Sequence, residues 1–432
     1  MNVKVIGAGL AGSECAFQLA QRGHSVELFE MRPVRMTAAH QTSNLAELVC
    51  SNSFRSASPT NAVGLLKREM SLLGSLVIRC AEEARVPAGD AFAVDRERFS
   101  AAVTRQIETQ PNIKIRREEV TSLDHDGVLV VATGPLTSHP LFEAINEFLG
   151  RDGLYFYDAI APIVAADSLD FSRLYWKSRY DKGSGRDYLN APMNREQYEA
   201  FVAALLAAEL YPLHDFERAA HFEGCLPIEE MAARGIDTLR FGPMKPVGLE
   251  HPATGRRPYA VVQLRKEDLS DEYFNIVGFQ TKMKVPEQKR VIPMIPGLEA
   301  CAFARFGSMH RNTFINGPRH LGPTFQTKRD PRIFFAGQIT GVEGYVESAA
   351  VGLLVARYID HPTPLPYHTA LGALGRHVAE SSPDRYQPSN VTWALIEDTV
   401  GNVKKSEKRE RQVEKALETI GSLSFGHALA SP

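Results

Sequence analysis

The sequence predicts an α/β protein, a Rossmann-like parallel-sheet domain interrupted by an inserted α+β domain. Three observations carry that expectation. A strand–glycine turn–helix–strand unit opens the chain. Two later strands run into small residues in the same manner. Between those two, the texture changes to short strand-like runs with many turns.

In the opening unit, Val3-Lys4-Val5-Ile6 reads as a strand and enters Gly7-Ala8-Gly9-Leu10-Ala11-Gly12. A helix follows over Ser13 to Arg22, with Ala16, Phe17, Leu19 and Ala20 apolar, and a second strand, Ser25 to Phe29, ends on Glu30. A GxGxxG between strand and helix, with an acid about twenty residues on, is the order of a βαβ dinucleotide site. Gly7 permits the tight turn and Gly9 lets the backbone approach a diphosphate. Gly12 lets helix and strand close on each other, with the helix N-terminus facing the anion. Glu30 is placed to accept a ribose hydroxyl.

The same fingerprint serves FAD, NAD and S-adenosylmethionine enzymes, so later segments must decide. Gly127 to Gly134 is a strand running into Ala132-Thr133-Gly134. Ile333 to Ala336 is another, entering Gly337-Gln338-Ile339-Thr340-Gly341-Val342-Glu343-Gly344, with a small-residue helix over Ser348 to Ala356. A flavoprotein of the glutathione-reductase type touches FAD first near its N-terminus and again near the end of the chain. A nicotinamide or adenosylmethionine domain needs no such return. The expected cofactor is FAD, with the second helix N-terminus facing the flavin end.

Composition narrows the class further. At 432 residues, 44% hydrophobic and 23% charged, the chain suits two or three soluble domains. No apolar run approaches the roughly 18 residues of a membrane span, and no signal peptide is visible, so the expected location is cytoplasmic. Five widely spread cysteines without a CxxC pair argue against disulfides or a metal site. A net charge of −2 excludes a globally basic nucleic-acid binder but leaves room for local basic patches.

The remaining elements follow in order. Asn61 to Arg85 has the spacing of one long helix, Ala91 to Val94 of a strand, and Asp95 caps a helix over Arg96 to Thr109. Ile113 to Val120 returns to extended structure. Beyond Tyr155, Arg195 to Leu210 reads as a helix, and Tyr259 to Leu264 and Phe274 to Phe279 as strands. Lys404 to Leu423 is an amphipathic helix with Val413, Ala416, Leu417 and Ile420 on one face and a basic start suited to a solvated surface. The expected domains are a first FAD-binding segment over 1–154, an inserted substrate- or RNA-binding domain over 155–310, a return segment over 311–365 and a helical tail over 366–432.

Among candidate chemical groups, Cys15, Cys80 and Cys301 sit in apolar surroundings and read as small core hydrophobes. Cys225 lies between Gly224 and Leu226-Pro227, in a turn, where Lys245 and other basic residues would stabilise a thiolate. Cys50 precedes the polar cluster Ser51-Asn52-Ser53 and reads as a thiol at an element end. His310 has two readings, a stacking or polar site residue and a satisfied structural histidine. Tyr175 to Tyr188 interleaves aromatics with Lys177, Arg179, Lys182 and Arg186, the pairing that lets rings stack on bases while cations meet phosphates.

Taken together, these strings resemble the folate- and FAD-dependent tRNA (uracil-5-)-methyltransferase family over nearly the full length. The resemblance is carried by Gly7 to Glu14, Glu30 to Pro33, Leu48 to Ser53, Val86 to Gly89, Ala132 to Ser138, Glu223 to Cys225, Phe241 to Gly248, Met309 to Asn312 and Ala336 to Ser348. It implies methylation of a T-loop uridine to ribothymidine, with methylenetetrahydrofolate as carbon donor and FAD reduced by NAD(P)H. It implies two working thiols at Cys50 and Cys225, and His310 as the residue stacking the folate pterin. Membrane attachment and a protein partner are not implied. The chain departs from the family's Asn-Cys-Pro-Met at Ala191, and the stretch after about Pro362 matches weakly. The same machinery acting on a ribosomal RNA uridine, a small-molecule flavin oxidoreductase and a non-catalytic flavin-containing RNA-binding protein are the alternatives. The oxidoreductase leaves Cys50, Cys225 and the basic-aromatic stretch without a role.

Overall fold

A computed structural model describes residues 1–37, 39–150, 154–181, 185–211, 226–267, 271–401, 403–404 and 407–424, with 154–160, 308–312 and 424 as backbone alone. A five-stranded sheet forms the frame, in the order Ile333–Phe335, Val128–Val131, Asn2–Ile6, Ser25–Phe29, Ile113–Arg116. Every neighbour in it is parallel, and the first βαβ unit pairs Val3 with Val26 and Ile6 with Phe29. Val128–Val131 and Ile333–Phe335 are continuous apolar runs, as buried parallel strands are, whereas Lys4, Glu27, Lys114 and Arg116 interrupt the other three. The helix Leu10–Gln21 packs on the return helix Tyr345–Asp360 so tightly that a Cβ on Gly352 would lie 2.2 Å from the Ala11 carbonyl oxygen. The N-terminal and return segments are thereby joined directly.

The expected long helix over Asn61 to Arg85 is two helices, Ala62–Leu72 and Leu76–Glu83. Gly74 takes a φ of +73°, and Ser75 caps the second helix by accepting from the Ile78 N–H at 3.2 Å. The buried Glu14 carboxylate takes the Leu76 and Val77 N–H groups at 3.2 and 2.8 Å, so this new helix end lies against an acceptor inside the core. The helix from Arg195 ends at Leu206 rather than Leu210, because Leu210 forms a β-bridge with Met283.

Strand Leu154–Ile160 leaves the first sheet region and Ser308–Phe314 returns to it, and the two pair antiparallel with each other. Between them lies a six-stranded antiparallel sheet ordered Tyr175–Trp176, Tyr188–Met193, Ala260–Lys266, Tyr273–Ile276, Ile163–Ala165, Phe303–Arg305. Its core, around Tyr198, Phe201, Val262, Leu264 and Phe279, is separate from the first. Ala191, where the family pattern has cysteine, is fully buried in that second core opposite Val262.

The tail packs back on the first core. Helices Ala370–Glu380 and Lys408–Ser424 lie on Ala62–Leu72, with Val413, Ala416 and Ile420 buried. The fully buried Glu69 receives the Ala370 and Leu371 N–H groups, each at 2.8 Å. Lys408 pairs with Asp398 and Arg409 lies 4.4 Å over the Trp393 ring, which keeps the basic start on the surface. Among the described residues no helix is long and apolar enough to cross a membrane.

Candidate functional site

A cleft opens along the C-terminal ends of the parallel strands. Gly7, Gly9, Leu10, Ala11, Glu30, Gly134 and Gln338 line it, so residues from three distant stretches meet there. Ala8, Gly12, Gly337, Gly341 and Val342 stand behind its wall. The Ala8 N–H donates to Glu30 Oε2 at 3.1 Å, and Gly12 abuts the Gly7 carbonyl. A Cβ on Gly337 would lie 2.5 Å from the Ala11 Cβ, and Gly341 abuts Tyr386. Val342 is fully buried.

The helix Leu10–Gln21 starts at Gly9 with no side-chain cap, which leaves its first N–H groups for an anion. The return helix likewise starts without a side-chain cap, at Gly344, whose φ is +104°. Two uncapped helix starts, an acid at the end of the second strand and a long cleft between them fit a dinucleotide such as FAD.

Several residues of this site escape sequence reasoning. Arg32, only 1% exposed, lies between two acids, with Nε 2.8 Å from Glu30 Oε1 and a second nitrogen 3.1 Å from Glu47 Oε2. Burial would raise the Glu30 carboxyl, but Arg32 and the Ala8 N–H outweigh it and hold the group below its usual range. Glu30 is therefore an anion whose acceptor capacity points at the cleft. His40, on the cleft wall, is pushed down to about 4, by burial first and by Arg32 second, so it is neutral at pH 7.

Cys50 lies in a turn before the strand Ser53–Ser56, half-buried, with its sulfur 2.9 Å from the Tyr345 hydroxyl. The Cys50 and Ser51 N–H groups donate to that same oxygen at 2.8 and 3.1 Å. With both lone pairs taken by amides, the phenolic hydrogen is left to point at sulfur. Burial, then the neighbouring Cys50, holds the Tyr345 phenol well above its usual range, so it remains a donor. Tyr345 is the first residue of the return helix and lines the cleft.

The cysteine turn is also fastened to the inserted domain. Asn52 donates to the Lys266 carbonyl at 2.8 Å, and Arg265 donates to Asn52 Oδ1 at 2.9 Å and Ser51 Oγ at 3.0 Å. Arg96 joins the Leu48 and Cys50 carbonyls to Glu267. Cys50 thus sits where both cores and the cleft meet.

The other predicted groups fall as follows. Cys225 lies outside the described residues, as does Lys182. His310 is on the returning strand Ser308–Phe314, in register with Asp158 of the outgoing one. Cys15, Cys80 and Cys301 are held above the usual thiol range by burial, the last two up to about 11. Lys177 pairs with Asp181 at 3.1 Å, and Arg186 lies 5.4 Å over the Trp176 ring. Arg179 is engaged inward, donating to the Lys245 and Val247 carbonyls and to Gln263 Oε1, so it fixes the loop to the Phe241–Gly248 stretch. Among the described residues no group of acids, histidines and cysteines could hold a metal ion.

A family model described as glucose inhibited division protein A matches residues 2–362. The chain is 58% identical over 421 residues to a methylenetetrahydrofolate–tRNA-(uracil-5-)-methyltransferase, TrmFO, of Geobacter sulfurreducens, covering 96% of this chain and 97% of that one. It is 54% identical over 427 residues to the protein of the same description from Heliobacterium modesticaldum, with 97% of each chain covered. Both matches therefore run past Pro362 into the tail. Among solved structures, GidA of Aquifex aeolicus superposes with a TM-score of 0.71 at 17% identity, covering 98% of this chain and 75% of that one, which supports the fold alone.

Proposed function

Because the chain belongs to the glucose-inhibited division protein A family, and within it to the methylenetetrahydrofolate–tRNA-(uracil-5-)-methyltransferases, we propose that it converts a T-loop uridine of tRNA to ribothymidine in the cytoplasm. The observation that carries this reading is the cysteine turn, hydrogen-bonded at once to the return helix through Tyr345 and to the inserted domain through Asn52. Residues 1–154 and 311–365 form the FAD-binding domain in this reading. Residues 155–310 present RNA and folate, and 366–432 brace the first core.

FAD is held by the uncapped helix start at Gly9, by Glu30 at the ribose and by Gln338 near the return helix. When bound and reduced by NAD(P)H it supplies the hydride that completes the methyl group. The protein's own side chains do the rest. Carbon-5 of uracil is a weak nucleophile, so the Cys225 thiolate adds to carbon-6 and makes carbon-5 an enolate carbon. That carbon bonds to the one-carbon unit of methylenetetrahydrofolate, Cys50 accepts the carbon-5 proton as the bond from that unit to the tetrahydrofolate nitrogen breaks, and the Cys225–carbon-6 bond breaks when the resulting exocyclic methylene takes up the hydride. His310 stacks the pterin. Nucleoside mass analysis of tRNA from cells lacking the gene tests the reading: ribothymidine disappears. Intact tRNA with undermethylated ribosomal RNA would shift the target instead.

Two further results are expected. Glu30→Gln keeps the side-chain shape but loses the charge, and weakens FAD about tenfold or more, since a hydrogen bond to a charged acceptor is worth about 1.5–3 kcal/mol. Unchanged FAD affinity would remove Glu30 from the ribose site. Among the basic residues, Lys177 and Arg186 flank the loop that Arg179 anchors, the first paired with Asp181 and the second over the Trp176 ring. Neutralising these two and Lys182 lowers tRNA affinity and flattens its salt dependence by about one unit of slope per lost phosphate contact, with FAD spectra unaltered. An unaltered slope would make the loop a solvated surface only.

A further inference from the structure

We propose that Arg305 is an oxyanion-binding residue of the reactant site, taking a carboxylate or phosphate oxygen of a substrate beside Cys50. The inference rests on the methyltransferase reading and adds to it a recognition residue on the inserted domain.

Arg305 ends the edge strand Phe303–Arg305 of the six-stranded sheet. Opposite it the register slips, Phe303 facing Val164 and Arg305 facing Ile163. An extra residue of this kind bends a strand and re-aims the side chain after it. The Arg305 guanidinium leaves its own sheet and crosses to the first lobe, where it donates to the Ala39 carbonyl at 3.4 Å. The flanking Thr37 and His40 line the cofactor cleft. Burial acts on this guanidinium first, and Arg96, Tyr345, Cys50 and Glu47 lie within its electrostatic reach, which puts the cation near the junction that holds the thiol.

Its neighbours make the case sharper. Arg32 has Glu30 and Glu47, Arg96 has Glu267 at 2.7 Å, and Arg55 has Glu347. Arg265 has Asn52 and Ser51. Among the described residues Arg305 alone of these five has no side-chain acceptor, only one long bond to a backbone carbonyl. A half-buried guanidinium with five donors, set near a second cation, is costly unless an anion joins it. A 3.4 Å bond is too weak to explain it as a clamp between domains. The planar fork of arginine matches carboxylate and phosphate oxygens, and both reactants carry them: folate in its glutamyl group, RNA in its backbone.

The test uses FAD-loaded wild type, Arg305→Met and Arg305→Lys. Dissociation constants are measured for tetrahydrofolate, for tetrahydropterin, which lacks the glutamyl carboxylates, and for a tRNA transcript across a salt series. Arg305→Met weakens one oxyanion ligand tenfold or more, and Arg305→Lys recovers part of the loss. A loss for tetrahydrofolate but not tetrahydropterin assigns the carboxylate. A loss for tRNA with a salt slope shallower by about one assigns a phosphate. Should the methionine variant not fold, the lysine variant decides, since it keeps the charge and loses the fork. Constants within twofold of wild type for all three ligands, or equal weakening of folate and pterin with a lowered melting temperature, overturn the proposal. Ribothymidine formation by wild type is followed in parallel. Its absence would sink the methyltransferase reading, whereas an active wild type with an indifferent Arg305 sinks only this site.

Discussion

In Cys225→Ala both methylation and the covalent band with tRNA carrying 5-fluorouridine are lost, whereas in Cys50→Ala methylation is lost and the band persists. The difference follows from the order of bond making. Addition to carbon-6 comes first and needs only the nucleophile, while proton removal from carbon-5 comes after it, and fluorine blocks that second step. Cys225 is assigned the first role because its sequence neighbours Gly224 and Pro227 predict a turn, within the segment proposed to present RNA. Cys50 is assigned the second because its sulfur is held 2.9 Å from the Tyr345 hydroxyl, at the start of the return helix on the cleft wall. A thiol fixed by a neighbouring donor is suited to taking up and giving back a proton. Each variant lowers turnover by several orders of magnitude, as expected when a covalent step or its base is removed. A denaturing gel with labelled RNA reads the outcome. A band surviving in Cys225→Ala and missing in Cys50→Ala reverses the two roles.

The parallel sheet was legible because its central strands are largely buried, so Val3 to Ile6, Val128 to Val131 and Ile333 to Phe335 stand out as mainly apolar runs. The break in the helix after Asn61 was legible too, in Gly74-Ser75, a glycine stop followed by a capping serine, but apolar spacing alone carries straight through it. What sequence could not reach is contact between distant positions. The Cys50 thiol finds Tyr345 after 295 residues, and Asn52 finds Lys266 after 214. Polarity also misleads when a charge is structural. Arg32 follows the acid of the βαβ unit without any local sign of burial and is buried between two glutamates, while Arg179 reads as a phosphate contact and is occupied by two carbonyls and a glutamine. A cation's partner depends on which backbone oxygens the fold leaves beside it, and local spacing carries no record of that.

Two of the three glycines of the opening motif, Gly12 and Gly9, give opposite results on addition of a single methyl group. In Gly12→Ala the new Cβ would lie 1.7 Å from the Gly7 carbonyl oxygen and 3.3 Å from the Ala132 Cβ. Backbone cannot yield as a side-chain end can, so the helix Leu10–Gln21 must lift off the strand that feeds it. Overpacking of this kind costs about 1–3 kcal/mol or more, and here it also displaces the helix end that faces the diphosphate. The expected protein melts lower without cofactor and stays colourless when FAD is added. In Gly9→Ala no protein atom lies within 4 Å of the added Cβ, and the φ of −72° suits any residue. The fold then loses only the few tenths to about 1 kcal/mol by which alanine is a poorer helix cap than glycine. The methyl group instead occupies the space through which the diphosphate approaches the backbone, so FAD affinity falls by two orders of magnitude or more while the melting curve of the cofactor-free protein hardly moves. Thermal denaturation of the cofactor-free proteins, paired with FAD titration, separates the two. If Gly9→Ala bound FAD as wild type does, the diphosphate would have to lie elsewhere than at this turn.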